Sequence, residues 1–126
     1  MPINKIESPH FTYIVYTRQS FADTDQLKRE LNSIAARADD IKDVVLDFGG
    51  LNTIASVEIG SVVRLLGHLK GKGRYVRVIL NQRIKQVFVT TNLVNLEGLA
   101  FYDSRESFSE QLKHTIPAEH DPENKG

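Results

Sequence analysis

Apolar residues fall along this chain in two alternating patterns, short continuous runs and stripes spaced three to four apart. Phe11-Thr12-Tyr13-Ile14-Val15-Tyr16-Thr17 is rich in aromatic and β-branched residues, which fit a pleated, half-buried surface, so it predicts a strand. Ile3 to Ser8 is placed to pair with it across Pro9-His10. From Thr24 to Ala38, the positions Leu27, Leu31, Ile34, Ala35 and Ala38 mark one helical face. Asp23, with Gln26 three residues on, predicts a capping box that opens this helix. Val44-Val45-Leu46-Asp47-Phe48 is nearly all apolar, as a strand covered on both faces requires, and Gly49-Gly50 then allows a turn. From Ser56, the positions Ile59, Val62, Val63, Leu66 and Leu69 mark a second helical face that ends near Gly71-Lys72-Gly73. Tyr75 to Leu80 reads as the next strand, Ile84, Val87 and Phe88 as a short helix after Asn81, and Leu99-Ala100-Phe101-Tyr102 as a last short strand. Asp103 with Glu106 predicts another capping box, opening a helix that carries Phe108 and Leu112.

Strands that alternate with helices at short spacing imply crossover connections. The expected fold class is therefore α/β, a mainly parallel sheet of four to five strands with about four helices. The 126 residues suffice for one core, so residues 1–114 are expected to form a single domain. Residues 115–126, polar and broken by Pro117 and Pro122, are expected to form a flexible C-terminal tail. In such sheets the edge where strands end and helices begin presents unpaired amides and the positive end of the helix dipole. The loop from Leu51 to Val57 occupies that edge.

Composition narrows the chemistry. With 40% apolar and 25% charged residues the chain is an ordinary globular one. Sixteen Lys and Arg balance sixteen Asp and Glu, so the chain as a whole has no electrostatic reason to seek nucleic acid or anionic lipid. The absence of cysteine excludes disulfides, thiolate metal sites and cysteine nucleophiles. The N-terminus shows no apolar signal core, and the longest apolar runs fall far short of the ~20 residues that cross a bilayer. A cytoplasmic protein without membrane insertion is expected.

The most informative stretch is Gly50 to Gly60, which combines a strand end, a polar loop and a helix start. Ser56 can cap the helix through its hydroxyl, and Glu58 sits favourably in the dipole field of the first turn. Capping alone is the commoner role for such residues. Gly60 costs roughly 1 kcal/mol against alanine inside a helix, and close packing of helix on sheet would justify it.

At these residues the sequence resembles the STAS domain family, named for sulfate transporters and anti-sigma factor antagonists. Val44-Val45-Leu46-Asp47 match the family's strand, and Ile54, Ser56, Ile59 and Gly60 match its Ile-Asp-Ser-(Ser/Thr)-Gly-(Leu/Ile)-Gly motif without a gap. The resemblance continues through the glycine-rich turn, Val76 to Leu80, and Tyr102-Asp103-Ser104 with Glu106, covering roughly residues 11 to 113. Four departures stand out. The family's phosphoacceptor is the second paired hydroxyl residue, where this chain has Val57, with no oxygen to modify. Ala55 replaces an aspartate and Glu58 a glycine. Of the turn before the first helix, Ser20-Phe21-Ala22-Asp23 keeps only the aspartate.

The resemblance implies a non-catalytic, protein-binding regulator of transcription and signal transduction. As an anti-sigma factor antagonist it would dock on a serine-kinase-type anti-sigma factor and so free a sigma factor. It would do so without the usual phosphorylation switch, since Val57 holds the acceptor position and phosphorylation of Ser56 is not favoured. The implied partner-binding residues are Asp23, Asn52, Thr53, Ser56, Val57 and Glu58, with Ser56 as cap, Val57 and Glu58 on the contact surface, and Gly60 admitting close packing. Glu58 leaves two outcomes open, constitutive binding or partial imitation of a phosphate; the first is preferred because a carboxylate has half the charge and another geometry. The alternative role is a STAS-type scaffold subunit of a sensory assembly or a soluble component of a lipid-transport complex, and a homodimer is left open.

Between Ile59 and Leu96 no acidic residue occurs, while Arg64, Lys70, Lys72, Arg74, Arg77, Arg83 and Lys85 are basic. An acidic partner, phosphate or nucleic acid could meet this excess, but solvated helix ends explain it as well, and no nucleic-acid-reading motif accompanies it. His10, His68, His114 and His120 lack metal-ligand spacing, and no phosphate-loop or nucleophile-elbow motif occurs. Asp23, Asp25, Asp39, Asp40 and Asp43 read as helix-end and connecting residues. No cofactor, metal or catalytic residue is expected.

Overall fold

The computed structural model describes residues 2–37 and 42–115, with the side chains of 111–115 excepted. The chain runs β1 (Ile3–Glu7), β2 (Phe11–Tyr16), α1 (Asp23–Ala35), β3 (Asp43–Asp47), α2 (Ser56–Lys70), β4 (Val76–Ile79), α3 (Gln82–Thr90), a 3-10 turn (Leu93–Asn95), β5 (Leu99–Tyr102) and α4 (Arg105–Thr115). Five strands form one sheet in the order β1-β2-β3-β4-β5. β1 is antiparallel to β2, pairing Ile3 with Tyr16 and Glu7 with Thr12, and the other three pairings are parallel. This is the expected α/β architecture. All three parallel pairings are closed by crossover helices.

The two faces of the sheet are covered unequally. Ile14, Tyr16, Val44, Leu46, Phe48, Val76, Val78 and Leu80 pack beneath α1, α2 and α3, which contribute among others Leu27, Leu31, Ile34, Val62, Leu65, Leu69, Ile84 and Phe88. On the other face Phe11, Val45, Ile79 and Tyr102 pack with Phe108 of α4. The Phe11, Tyr13 and Tyr102 rings lie 5.1 to 6.0 Å from the Phe108 ring, edge-on or tilted. β3 is central and covered on both sides, which is why Val44, Val45 and Leu46 form an unbroken apolar run between its two aspartates.

Several helix ends differ from their sequence reading. Asp23 does not form a capping box; its carboxylate accepts the upstream amides of Gln19 at 2.8 Å and Ser20 at 3.2 Å, which pins the β2–α1 turn. α1 ends at Ala35; Ala38, Asp39 and Asp40 lie outside the described residues. At α4 the cap is Ser104, whose hydroxyl accepts the Ser107 amide at 3.0 Å, while Asp103 pairs with Lys85. The side chain of Leu112 and the 116–126 segment also lie outside what is described. Gly98, between the 3-10 turn and β5, has φ +90°, and a Cβ there would meet Leu66 at 3.0 Å.

Candidate functional site

Because β2, β3 and β4 are parallel, the connections that follow them emerge on one edge of the sheet. Three segments gather there: the β2–α1 turn with Arg18 and Phe21, the β3–α2 loop from Phe48 to Ala55, and the start of α3 at Asn81. Asn52, Thr53 and Ser56 are exposed at this corner, and Val57 is half-buried beside them.

The loop is held from two sides. Asn81 caps α3, its side-chain oxygen accepting the Ile84 amide at 2.9 Å, and its Nδ2 donates to the carbonyls of Leu51 at 2.6 Å and Gly49 at 3.2 Å. From the opposite side Arg18 donates through Nη2 to the Thr53 carbonyl at 2.7 Å and hydroxyl at 3.1 Å, and through Nε to Glu58 at 2.8 Å.

Glu58 is the hub of this arrangement. It is fully buried, and one carboxylate oxygen accepts both Arg18 and the Tyr16 hydroxyl, the latter at 2.5 Å. The other oxygen accepts the Ala55 amide at 2.7 Å, the side-chain half of a capping box. A buried carboxylate is tolerable only when its lone pairs are met in this way. Burial first, and then the bond to Glu58, push the Tyr16 hydroxyl well above its ordinary pKa; Arg18 is raised by its own hydrogen bond to Glu58.

These contacts correct three sequence expectations. Glu58, expected at the surface, is fully buried; it points inward and anchors the loop. Ser56 does not cap α2: Ala55 is the extended N-cap residue, and Ser56 opens the helix with no hydrogen bond from its hydroxyl to any described residue. Gly60 does not face the sheet, since it is exposed and a Cβ there would meet nothing within 4 Å. Asn52, Thr53, Ser56 and Val57 are brought together. Asp23 is half-buried at the neighbouring turn, close enough to Tyr16 to add to its raised pKa.

Sequence reasoning missed Phe21 and Arg18. Phe21 is 72% exposed at the same edge, and the available signal was that it lies off the Leu27–Leu31–Ile34 stripe. Arg18 gave no signal, because its partner lies forty positions along the chain.

A second polar cluster lies under β3 on the opposite face. Asp47, also buried, accepts Arg105 and the Tyr13 hydroxyl, and takes the Gly49 amide at 3.0 Å. Burial, with the Asp47 charge second, raises Tyr13 to about 12. The cluster ties α4 to the end of β3. Neither cluster sets a nucleophile against a base: the Ser56 hydroxyl has no hydrogen-bond partner among the described residues. Among those residues, no group of three His, Asp or Glu side chains is placed to hold a metal, and no helix is long and apolar enough to cross a membrane.

By sequence, no family model and no curated protein matches the chain significantly. Solved structures do match its fold. An anti-sigma-factor antagonist (STAS) domain protein from Planctomyces limnophilus superposes with a TM-score of 0.69 at 15% identity, over 87% of this chain and 97% of that one. The chain has the STAS fold. RsbS from Moorella thermoacetica, in a serine-to-glutamate variant, matches with a TM-score of 0.70 at 14% identity, over 93% of this chain and 99% of its own. A Thermotoga maritima protein described as an anti-sigma factor antagonist matches at 0.64 and 14% identity, over 89% and 93%. On this STAS framework the Asn52–Val57 corner sits at the carboxyl edge of the central strand, locked from beneath by Glu58.

Proposed function

We propose that the protein is a non-catalytic regulator of the anti-sigma factor antagonist type, which docks through the Asn52–Val57 corner on a serine-kinase-type anti-sigma factor and so frees a sigma factor. The observation that carries this reading is the corner itself. Its backbone is fixed by Asn81 and Arg18 before any partner arrives, so little loop entropy is lost on binding. The amides of Ser56 and Val57 find no acceptor among the described residues, and Phe21 offers an exposed aromatic at the same edge.

Val57 gives the corner no hydroxyl at the position where related domains are modified, which supports constitutive docking. The burial of Glu58 supports it too, because a carboxylate with three internal donors does not present the charge of a phosphate. Size-exclusion chromatography with the serine-kinase-type anti-sigma factors of the source cell tests the reading. A small stoichiometric complex, weakened by Phe21→Ala and Thr53→Arg, is expected. Self-assembly of the chain into a large particle with no such complex would contradict it and favour a scaffold role.

A further inference from the structure

A groove runs between α1 and α2 next to the corner. Lys28 and Asn32 line it from α1, and Val57, Gly60, Ser61 and Arg64 from α2, around a space of about 130 Å³. These positions recur at helical spacing, so both helices turn one face toward the groove.

Its charge is uncompensated. Lys28, half-buried, and Arg64, exposed, make no ion pair or hydrogen bond with any described residue. Of the other described helix cations, Arg29 pairs with Asp25, Lys70 with Glu97, Lys85 with Asp103 and Arg105 with Asp47, while Arg83 of α3 lies away from the groove and pairs with no described residue. Asp25 is therefore taken, although it lies within one turn of Lys28. The only carboxylate of α2, Glu58, is buried and saturated.

Gly60 adds an independent observation. Glycine inside a helix costs about 1 kcal/mol against alanine, yet the space where its side chain would stand is empty within 4 Å. No described residue uses the close approach that glycine permits. The groove, open to solvent on one side, has room for one carboxylate head group between the two helices.

We propose that this groove receives an aspartate or glutamate side chain of a protein partner, seated between Lys28 and Arg64 with the partner's backbone passing over Gly60. The proposal rests on the docking role given above and names the chemistry of the partner's contact surface. A protein carboxylate fits better than a nucleic acid, whose backbone is tracked by a continuous row of cations; the lining of this groove carries two, Lys28 and Arg64. The groove also touches Val57, so an anion would stand beside the motif as a contribution from the partner.

Two arms test it with the full chain. In the first, the 15N-labelled protein is titrated with a glutamate-rich helical peptide, a lysine-rich control, inorganic phosphate and duplex DNA. Saturable shifts at the Gly60 and Ser61 amides with the acidic peptide alone are expected, fading with salt and weakened about tenfold in Lys28→Glu/Arg64→Glu and in Gly60→Leu. Absence of a localised shift, or a tighter response to phosphate or duplex, overturns the proposal. In the second, calorimetry measures the anti-sigma factor against wild type and the double variant. Equal affinity for both overturns the groove while leaving the docking role intact. Failure to bind wild type, with the peptide still saturating at Gly60, overturns the docking role and leaves the groove intact.

Discussion

Arg18 joins Glu58 to Thr53: its Nε meets the buried carboxylate at 2.8 Å, and its Nη2 reaches the exposed Thr53 carbonyl at 2.7 Å. One side chain thus transmits the rigidity of the core to the loop that carries the candidate site. The sequence places Arg18, Thr53 and Glu58 in three separate segments; the β2–β3 pairing and the helix start bring them together.

Removing the carboxylate leaves Arg18 and the Tyr16 hydroxyl without their acceptor inside the fold. Glu58→Ala should cost about 3 kcal/mol, at the low end for breaking a buried pair, because Arg18 keeps 19% exposure and can recruit water. Glu58→Gln, which keeps an acceptor for Tyr16, should cost less. Urea denaturation of the two variants gives the order.

Asn81 caps its helix as its residue type suggests, whereas Ser56 does not. Ser56→Ala should change stability by less than about 0.5 kcal/mol, since its hydroxyl bonds to no described residue. Asn81→Ala should cost about 1–2 kcal/mol through the lost cap and the two loop carbonyls it holds. Thermal melts of both variants provide the comparison.

Two glycines should respond in opposite directions. Gly60→Ala should raise stability by about 1 kcal/mol, as the space is open and the helix gains. Gly98→Ala should lower it by about 1–2 kcal/mol, because φ is +90° and Leu66 stands 3.0 Å away. The same denaturation assay reads both.

Acid should weaken the β1 edge in a defined window. The Lys42 ammonium, followed by Arg37 and Thr12, holds Glu7 at about 2 against an ordinary 4.5. A carboxylate depressed in the fold contributes stability that is present above pH 4.5 and lost as pH falls toward 2. Glu7 is 41% exposed, so solvent screening keeps the effect small. Glu7→Gln should flatten the stability profile between these pH values, and no change in slope would count against the assignment.

Most of the fold was legible in the sequence because its signals are local. Alternating runs and three-to-four spacings identified all five strands and four helices, and the burial of β3 on both faces explains its unbroken apolar run. The site was legible only as a location. Ser56 looks like a cap by type, but the backbone turns one residue earlier and leaves Ala55 at that position. Glu58 looks like a surface charge near a dipole, and only the distant Tyr16 and Arg18 reveal it as a core residue. Asp103 and Ser104 show the same limit, since both are competent caps and the contact with Lys85 decides between them.

Docking that phosphorylation does not interrupt is tested most directly by incubating the protein with ATP and the bound serine-kinase-type anti-sigma factor, then measuring affinity by calorimetry and the intact mass of this chain. Unchanged affinity and no added phosphate are predicted. A phosphate on Ser56, accompanied by dissociation of the complex, would contradict the account.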